Sequence, residues 1–392
     1  MEPSHHDAPH ITAKPFIFMR NYQMGNVCVG GSRMSHQVYS PDRADAPPRS
    51  ERNTPDRSKR TAGDAERNQS MRLQQKINDL KPYVRHARGP MKAYGQAAID
   101  RASGKKTSVS FAELDATHLD AMVDIENQRN PGLNLRHFRD HKEFIQAIQS
   151  GGPNSFRAIF PQTSPGTGQT VKHHVMADVR LHQDGAPTVI ITEPAVIVGE
   201  RFQQLQQHNL TLEDLGEGGV PLSHVAIIET QAQKTKDDCV MYSLNYAIKA
   251  HKNANQFDDI HQSLQHGALS TEPESRARTT LGALEANSMY SVMHDGAHAA
   301  FGADVLPVDF YKHGASLTQA KQLMKRPDGR MAGRVNSEGH SEAENLVQRN
   351  KAFRVMRREL LDDEAPSNTQ FSASIDGFRL QEIKRVLTAE RH

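Results

Sequence analysis

Val225-Ala-Ile-Ile228-Glu-Thr-Gln-Ala-Gln-Lys-Thr-Lys-Asp-Asp-Cys239-Val-Met-Tyr-Ser-Leu-Asn-Tyr-Ala-Ile-Lys249 changes character twice along its length. The apolar run Val225–Ile228 predicts a short buried strand. A polar, charged loop follows. Val240, Met241, Leu244, Ala247 and Ile248 then fall at helical spacing. Asp238 has the character of an N-cap, because its carboxylate can accept a bond from an orphan N–H of the first turn. Cys239 therefore stands at or near the first helical position. There the roughly half positive charge of a helix N-terminus favours the thiolate, the nucleophilic form of cysteine. The competing reading is a small buried apolar residue. Against it, the sulfur sits at the polar, loop end of the helix and not on its apolar stripe.

A chain of 392 residues has room for two or more domains and a sizeable core. Its apolar content of 36% and its lack of tryptophan predict that part of it is solvent-rich or disordered. A net charge of +2 gives no bulk affinity for nucleic acid, so any basic site must be local. Cys28 and Cys239 are the only cysteines, which excludes a disulfide framework and multi-cysteine metal sites, and no metal is expected. A free catalytic thiol fits a reducing compartment. No apolar run reaches the roughly 18 residues of a membrane-spanning helix, and no secretory signal pattern is present.

Residues 1–66, rich in Pro, Ser and charge, are expected to form a disordered tail. Helical periodicity begins near Gln69, with Leu73, Ile77, Leu80 and Val84 on one face. Phe111–Asn127 and Arg136–Gln149 read as further helices. Residues 67–150 are thus expected to be the N-terminal part of a helical frame. From Phe156 the period shortens to that of strands. Val171–Leu181 and Thr188–Thr192 predict two strands joined over residues 183–187, and a helical stretch from Gly199 to Leu210 follows. Residues 151–280 are expected to be a catalytic core. Residues 281–392, helical apart from a Gly-rich gap at 294–302 and a charged loop at 326–341, are expected to complete the helical frame. Strands flanked by helices predict an α+β core inside a mostly helical frame.

A cysteine nucleophile needs a base and a group to orient that base. His173 (or His174) lies on the first strand of the predicted pair, and Glu193 ends the second, before Pro194. Closing the pair over residues 183–187 makes His173 and Glu193 cross-strand neighbours. A carboxylate on one ring nitrogen fixes the tautomer and leaves the other facing sulfur. Gln233 precedes Cys239 by six residues. Its amide could donate to an oxyanion beside the Cys239 N–H, and one such donor is worth about 2.7–4 kcal/mol. Singly these residues are ordinary; a chain with 21 histidines has many polar strand positions. Their order on strand, strand, loop and helix carries the reading.

His173-x4-Asp178, Glu193-Pro194, Gln233-x5-Cys239 and Phe310-Tyr-Lys-His313 resemble the YopJ family of bacterial type III effectors, as does Asn130-Pro-Gly-Leu-Asn-Leu-Arg136. The resemblance covers about residues 110–320. It implies a core like that of cysteine proteases that process ubiquitin-like proteins, a mixed sheet with flanking helices, with residues 67–150 and 281–392 as a helical regulatory domain and residues 1–66 as a secretion and targeting tail, and it favours His173 over His174 as base. It also implies acetyl transfer from acetyl-CoA, through an acetyl-cysteine, to Lys, Ser or Thr of host proteins. Activation by inositol hexakisphosphate is implied too. Such a polyanion needs several converging cations. Arg72, Arg129, Lys312, His313, Arg349 and Arg354 are the candidates; Lys312 matches the family motif, and the others rest on their position in the helical frame. Lys312, together with Thr369 and Ser372 in the hydroxyl-rich segment 367–374, is a candidate for self-acetylation.

Met24-Gly25-Asn26-Val27-Cys28 is similar to the HopZ branch of that family. If translation began at Met24, Gly25 could be myristoylated and Cys28 palmitoylated, giving the two anchors that stable attachment to a host membrane requires. In the chain as numbered Gly25 is internal and cannot be myristoylated. The expected destination is the host cell, at its plasma membrane or in its cytoplasm. Two rival readings remain open: a protease or deubiquitinase with the same triad, and a non-catalytic adaptor that binds host proteins. Uptake of labelled acetyl at Cys239 separates them.

Overall fold

The computed structural model describes residues 70–391, apart from 106, 152–154, 164–169, 184, 198–202, 236, 267–295, 328–333, 337–342 and 357–369. Helices α1 (Met71–His86), α2 (Gly89–Ala102), α3 (Phe111–Thr117) and α4 (Leu119–Arg129) precede strand β1 (Leu135–His137) and α5 (His141–Gln149). Strands β2 (Phe156–Thr163), β3 (Thr170–Arg180) and β4 (Thr188–Glu193) lead to α6 (Gln203–Glu217), β5 (Val225–Glu229), α7 (Cys239–Lys252) and α8 (Ala254–Gln265). After β6 (His298–Phe301) come α9 (Gly302–Val305), a 3-10 turn (Val308–His313), α10 (Leu317–Leu323), β7 (Arg334–Asn336) and β8 (Ala343–Asn345). The last elements are α11 (Leu346–Ala352), β9 (Arg354–Met356), β10 (Gln370–Ser372) and α12 (Ser374–Ala389).

Strands β1 to β6 form one mixed sheet in sequential order. The pairs β2–β3 and β3–β4 are antiparallel, and the other neighbours run parallel. Inside the sheet the period of two separates two cores. Phe156, Ala158, Phe160, Val175, Ala177 and Val179 face α5 and α6. Ile159, Met176, Ile190, Ala226 and Ile228 join the cluster built on α7. Helix α7 is buried from Cys239 to Ile248, which is why its sequence is apolar on more than one face. No described helix is long and apolar enough to cross a membrane.

The sheet reaches beyond the expected core boundaries of 151 and 280, since β1 lies before them and β6 after. Arg136–Gln149 is therefore not one helix. Helix α5 starts at His141, where the Asp140 side chain accepts the Glu143 N–H. The Gly-rich gap at 294–302 likewise holds β6. Both strands lie at the sheet's ends and are too short to show a period. The C-terminal flank, expected to be helical, also contains two small antiparallel pairs, β7–β8 and β9–β10.

The N- and C-terminal flanks meet each other. Helix α12 packs on α1, α2 and α4, and their apolar side chains belong to the same cluster as α7. A buried ionic cluster ties them to the cysteine turn. Arg379 of α12 donates Nη2 to Asp238 at 2.6 Å and Nη1 to Asp376 at 2.8 Å. Its Nε and Nη2 reach Asp115 of α3 at 2.9 and 2.8 Å. Arg101 of α2 donates to Asp238 at 2.8 Å. Asp238 does occupy the N-cap position, but its side chain caps nothing; the two guanidiniums take it instead. Burial opposes its charge, yet Arg101 and Arg379 hold its carboxyl far below the usual range. Removing one partner of a buried ion pair strands the other, at about 3–5 kcal/mol. Arg379→Met should thus lower the free energy of unfolding by about that amount, read from a denaturant titration followed by circular dichroism.

Candidate active site

The β3–β4 register sets Met176 opposite Thr192. Continued by one residue it sets Val175 opposite Glu193, with His173 two residues further along the same face. Diagonal neighbours of this kind are within reach of long side chains. His173 Nε2 stands 3.0 and 2.9 Å from the two carboxylate oxygens of Glu193. The same ring is hydrogen-bonded to the Cys239 side chain. The imidazole that joins carboxylate to sulfur is therefore His173's. His174 points elsewhere, with its ring 6.4 Å from that of His137 and its carbonyl accepting the Ser243 hydroxyl at 3.1 Å. Asp178, of the His-x4-Asp pattern, is tied to Arg157 at 2.8 Å, Arg180 at 3.0 Å and His261 at 3.0 Å. It is a structural charge.

Electrostatics match this geometry. Burial alone would lower the His173 pKa, but the Glu193 charge and the bonds to Cys239 and Glu193 outweigh it and raise it to about 10. Burial would raise the Glu193 carboxyl, but His173, with a further bond from His208, holds it well below the usual range. The resting pair is imidazolium and carboxylate. Pro194 has no N–H and turns the chain, and the Ala195 N–H comes back to Glu193 Oε1 at 2.7 Å.

The sulfur does not lie at an open helix end, as its position behind a polar loop suggested. Cys239 is fully buried. The loop before it folds back on its own helix: the Tyr242 hydroxyl and the Ala315 N–H both donate to Ala232 O, each at 3.1 Å. Gln233 is held close to the triad by its backbone N–H, which donates to Pro194 O at 3.0 Å. Its side-chain nitrogen, expected to face an oxyanion, donates to the Thr235 carbonyl instead.

Arg72, Arg129, Lys312, His313 and Arg349 all line one cavity of about 1440 Å³. Lys76, Lys249, Lys252, Lys384 and Arg385 line it too, so that nine Lys and Arg face three acids, Asp79, Glu126 and Glu344. Cys239 is not among its walls. Arg354, the sixth expected cation, does not line it; it starts β9 and pairs with Ser372 in the β9–β10 register. His313 is present but is no cation. Burial, then the charges of Arg349 and Lys312, push its pKa well below the ordinary value, and Nδ1 meets the Ser374 hydroxyl at 2.9 Å. Glu344 bridges Arg72 and Arg349. The buried Asn245 amide nitrogen has no hydrogen-bond partner among the described residues, and Asn245 lines this cavity.

Of the modification candidates, Lys312 lines the cavity and Ser372 is buried, its hydroxyl accepting the Ser374 N–H at 3.3 Å. That burial withdraws Ser372 as an acceptor in the folded state. Thr369, Gly25 and Cys28 lie outside the described residues. Sequence reasoning missed His208, Arg101, Arg379 and most of the cavity lysines. Among 21 histidines and 48 Lys and Arg, nothing local singles these out.

HopZ1a, a serine/threonine-protein acetyltransferase of Pseudomonas syringae pv. syringae, is 89% identical over 368 residues, covering 94% of this chain and all of the relative. A serine/threonine-protein acetyltransferase of Sinorhizobium fredii is 29% identical over 207 residues, covering 51% of this chain and 76% of its own length. The crystal structure of HopZ1a in complex with IP6 (inositol hexakisphosphate) and CoA superposes with a TM-score of 0.76 at 87% identity, covering 82% of this chain and all of that one. AvrA delL154 with IP6 and CoA, at 20% identity and a TM-score of 0.56 over 79% of this chain and 98% of that one, shares the fold. The profile of the YopJ Serine/Threonine acetyltransferases matches residues 71–385, and the chain belongs to that family.

Proposed function

We propose that the chain carries out acetyl transfer with Cys239 as nucleophile, His173 as base and Glu193 as the group that orients it. The observation behind this is the hydrogen-bonded run from sulfur through imidazole to carboxylate, with the imidazole charged at rest. The Cys239 sulfur attacks the acetyl carbonyl carbon of acetyl-CoA. The carbon–sulfur bond to CoA breaks, and the leaving thiolate takes a proton from His173. A Ser or Thr hydroxyl or a Lys amine then attacks the acetyl-cysteine and gives its proton to His173, and sulfur leaves as the thiolate. Both steps pass through an oxyanion. The Cys239 N–H at the helix start suits that charge, and Gln233 joins it only after its amide releases Thr235. Because Cys239 is fully buried, the acetyl group reaches its sulfur only after the residues that cover it shift.

The cavity suits inositol hexakisphosphate as activator. Its cations come from α1, α4, α7, α11, α12 and the 3-10 turn, so one polyanion would draw both flanks together. HopZ1a has been solved with this ligand. Two helices link the cavity to the sulfur. Helix α7 starts at Cys239 and ends at Lys252, and α12 holds Asp238 through Arg379 while its Lys384 and Arg385 line the cavity. The biological reading that fits is an effector delivered into a host cell, acetylating host proteins and itself at Lys312. Membrane attachment applies to a chain begun at Met24 and lipidated at Gly25 and Cys28.

With acetyl-CoA and inositol hexakisphosphate, intact-mass spectrometry should show a gain of one acetyl group on Cys239, and self-acetylation in the wild type only. Cys239→Ala should abolish both while its melting curve stays unchanged. Self-acetylation by the alanine protein would assign the chemistry elsewhere. Calorimetry tests the cavity. Lys249→Gln with Arg385→Gln should weaken binding of inositol hexakisphosphate at least about tenfold, since each charged hydrogen bond is worth about 1.5–3 kcal/mol. Unchanged affinity would remove the cavity from the proposal.

A further inference from the structure

Glu193 sits beside a second carboxylate of opposite behaviour. Glu229 ends the next strand, and the two are partners in the parallel β4–β5 register. Both are buried. Burial, with the Glu193 charge adding to it, pushes the Glu229 carboxyl up to about 7. Glu193 stays ionised. Glu229 accepts the Ile197 N–H at 2.8 Å and the Gln231 amide. Glu193 also accepts one backbone N–H, but it meets two imidazoles. The second belongs to His208 on α6, fully buried, with Nε2 2.9 Å from Glu193 Oε2.

His208 is itself held. The Gln162 amide nitrogen, on β2 and also fully buried, lies 2.9 Å from its Nδ1. A donor at Nδ1 leaves the Nε2 proton for Glu193. The carboxylate is thus fastened at both ends, with Ala195 N–H on Oε1 and His208 on Oε2. Both are needed, because the last torsion of a glutamate is broad. Held by one oxygen, the carboxylate would swing and take the His173 ring with it.

We infer that His208 is a positioning residue of the acetyl-transfer reaction, acting by locking Glu193 against His173, with Gln162 fixing its tautomer. This rests on the triad proposed above. The ordinary alternative is a core histidine that contributes only to folding.

The test compares His208→Leu, which removes the donor, with His208→Gln, whose amide can reach the Nε2 position. Single-turnover formation of acetyl-Cys239 is followed by mass spectrometry across acetyl-CoA concentrations, in the full chain with inositol hexakisphosphate. In the leucine protein the maximal rate should fall about ten- to a hundredfold, the range of one charged hydrogen bond. The half-saturating acetyl-CoA concentration should not move, and glutamine should restore the rate to within a few-fold. If the leucine protein does not fold, His208→Met offers similar volume without a donor. A folded apolar variant at the wild-type rate, or a glutamine variant no faster than the apolar one, overturns the inference. Wild-type protein that never forms acetyl-Cys239 overturns the triad instead, so the two failures are distinct.

Discussion

The carboxylate of Asp238 is held between two guanidiniums, and the residue after it is the cysteine. Neither arginine belongs to the sheet or to the cysteine helix. Arg101 comes from the N-terminal flank and Arg379 from the C-terminal one. A buried carboxylate with only one of them would be costly. The backbone turn that presents the sulfur is therefore stable only when both flanks are docked. This makes the flanks part of the catalytic apparatus in an energetic sense, although they supply none of its reacting atoms.

The same dependence gives a physical route for regulation. A ligand can shift an equilibrium only as far as it binds one state better than another. The basic cavity draws on both flanks and shares α12 with the clamp, so a polyanion bound there would favour the docked arrangement. Mutual repulsion of nine cations resists docking, and an anion relieves it. A net charge of +2 is compatible with this, because the positive potential is concentrated in one place.

Much of the sheet, and the meeting of His173, Glu193 and Cys239, was legible in the sequence. The hairpin carrying His173 and Glu193 announced itself through two apolar runs and the turn between them, and the cysteine helix through its period. Chemistry in order along the chain survives in one dimension. What was hidden depends on the third. Strands β1 and β6 are three and four residues long and borrow their register from neighbours. His208 looks like any helical histidine until α6 lies on the sheet. Asp238 looks like a cap, and only packing shows that two arginines more than a hundred residues away on either side have claimed it. Five of the six expected ligand-binding residues do share a cavity, but Lys249 and Arg385 could not be picked out from the other charged helix faces. His313 matches the family motif and yet is neutralised by its burial.

The clamp also has a consequence for inheritance. Every triad residue is encoded by codon 239, but the arginine that closes the nucleophile's turn comes at codon 379. A stop codon or frameshift in the intervening stretch would leave the codons of His173, Glu193 and Cys239 intact and the turn before the sulfur without its arginine. The far end of the reading frame would thus be selected together with the codons of the turn itself, and late lesions would be as damaging as early ones.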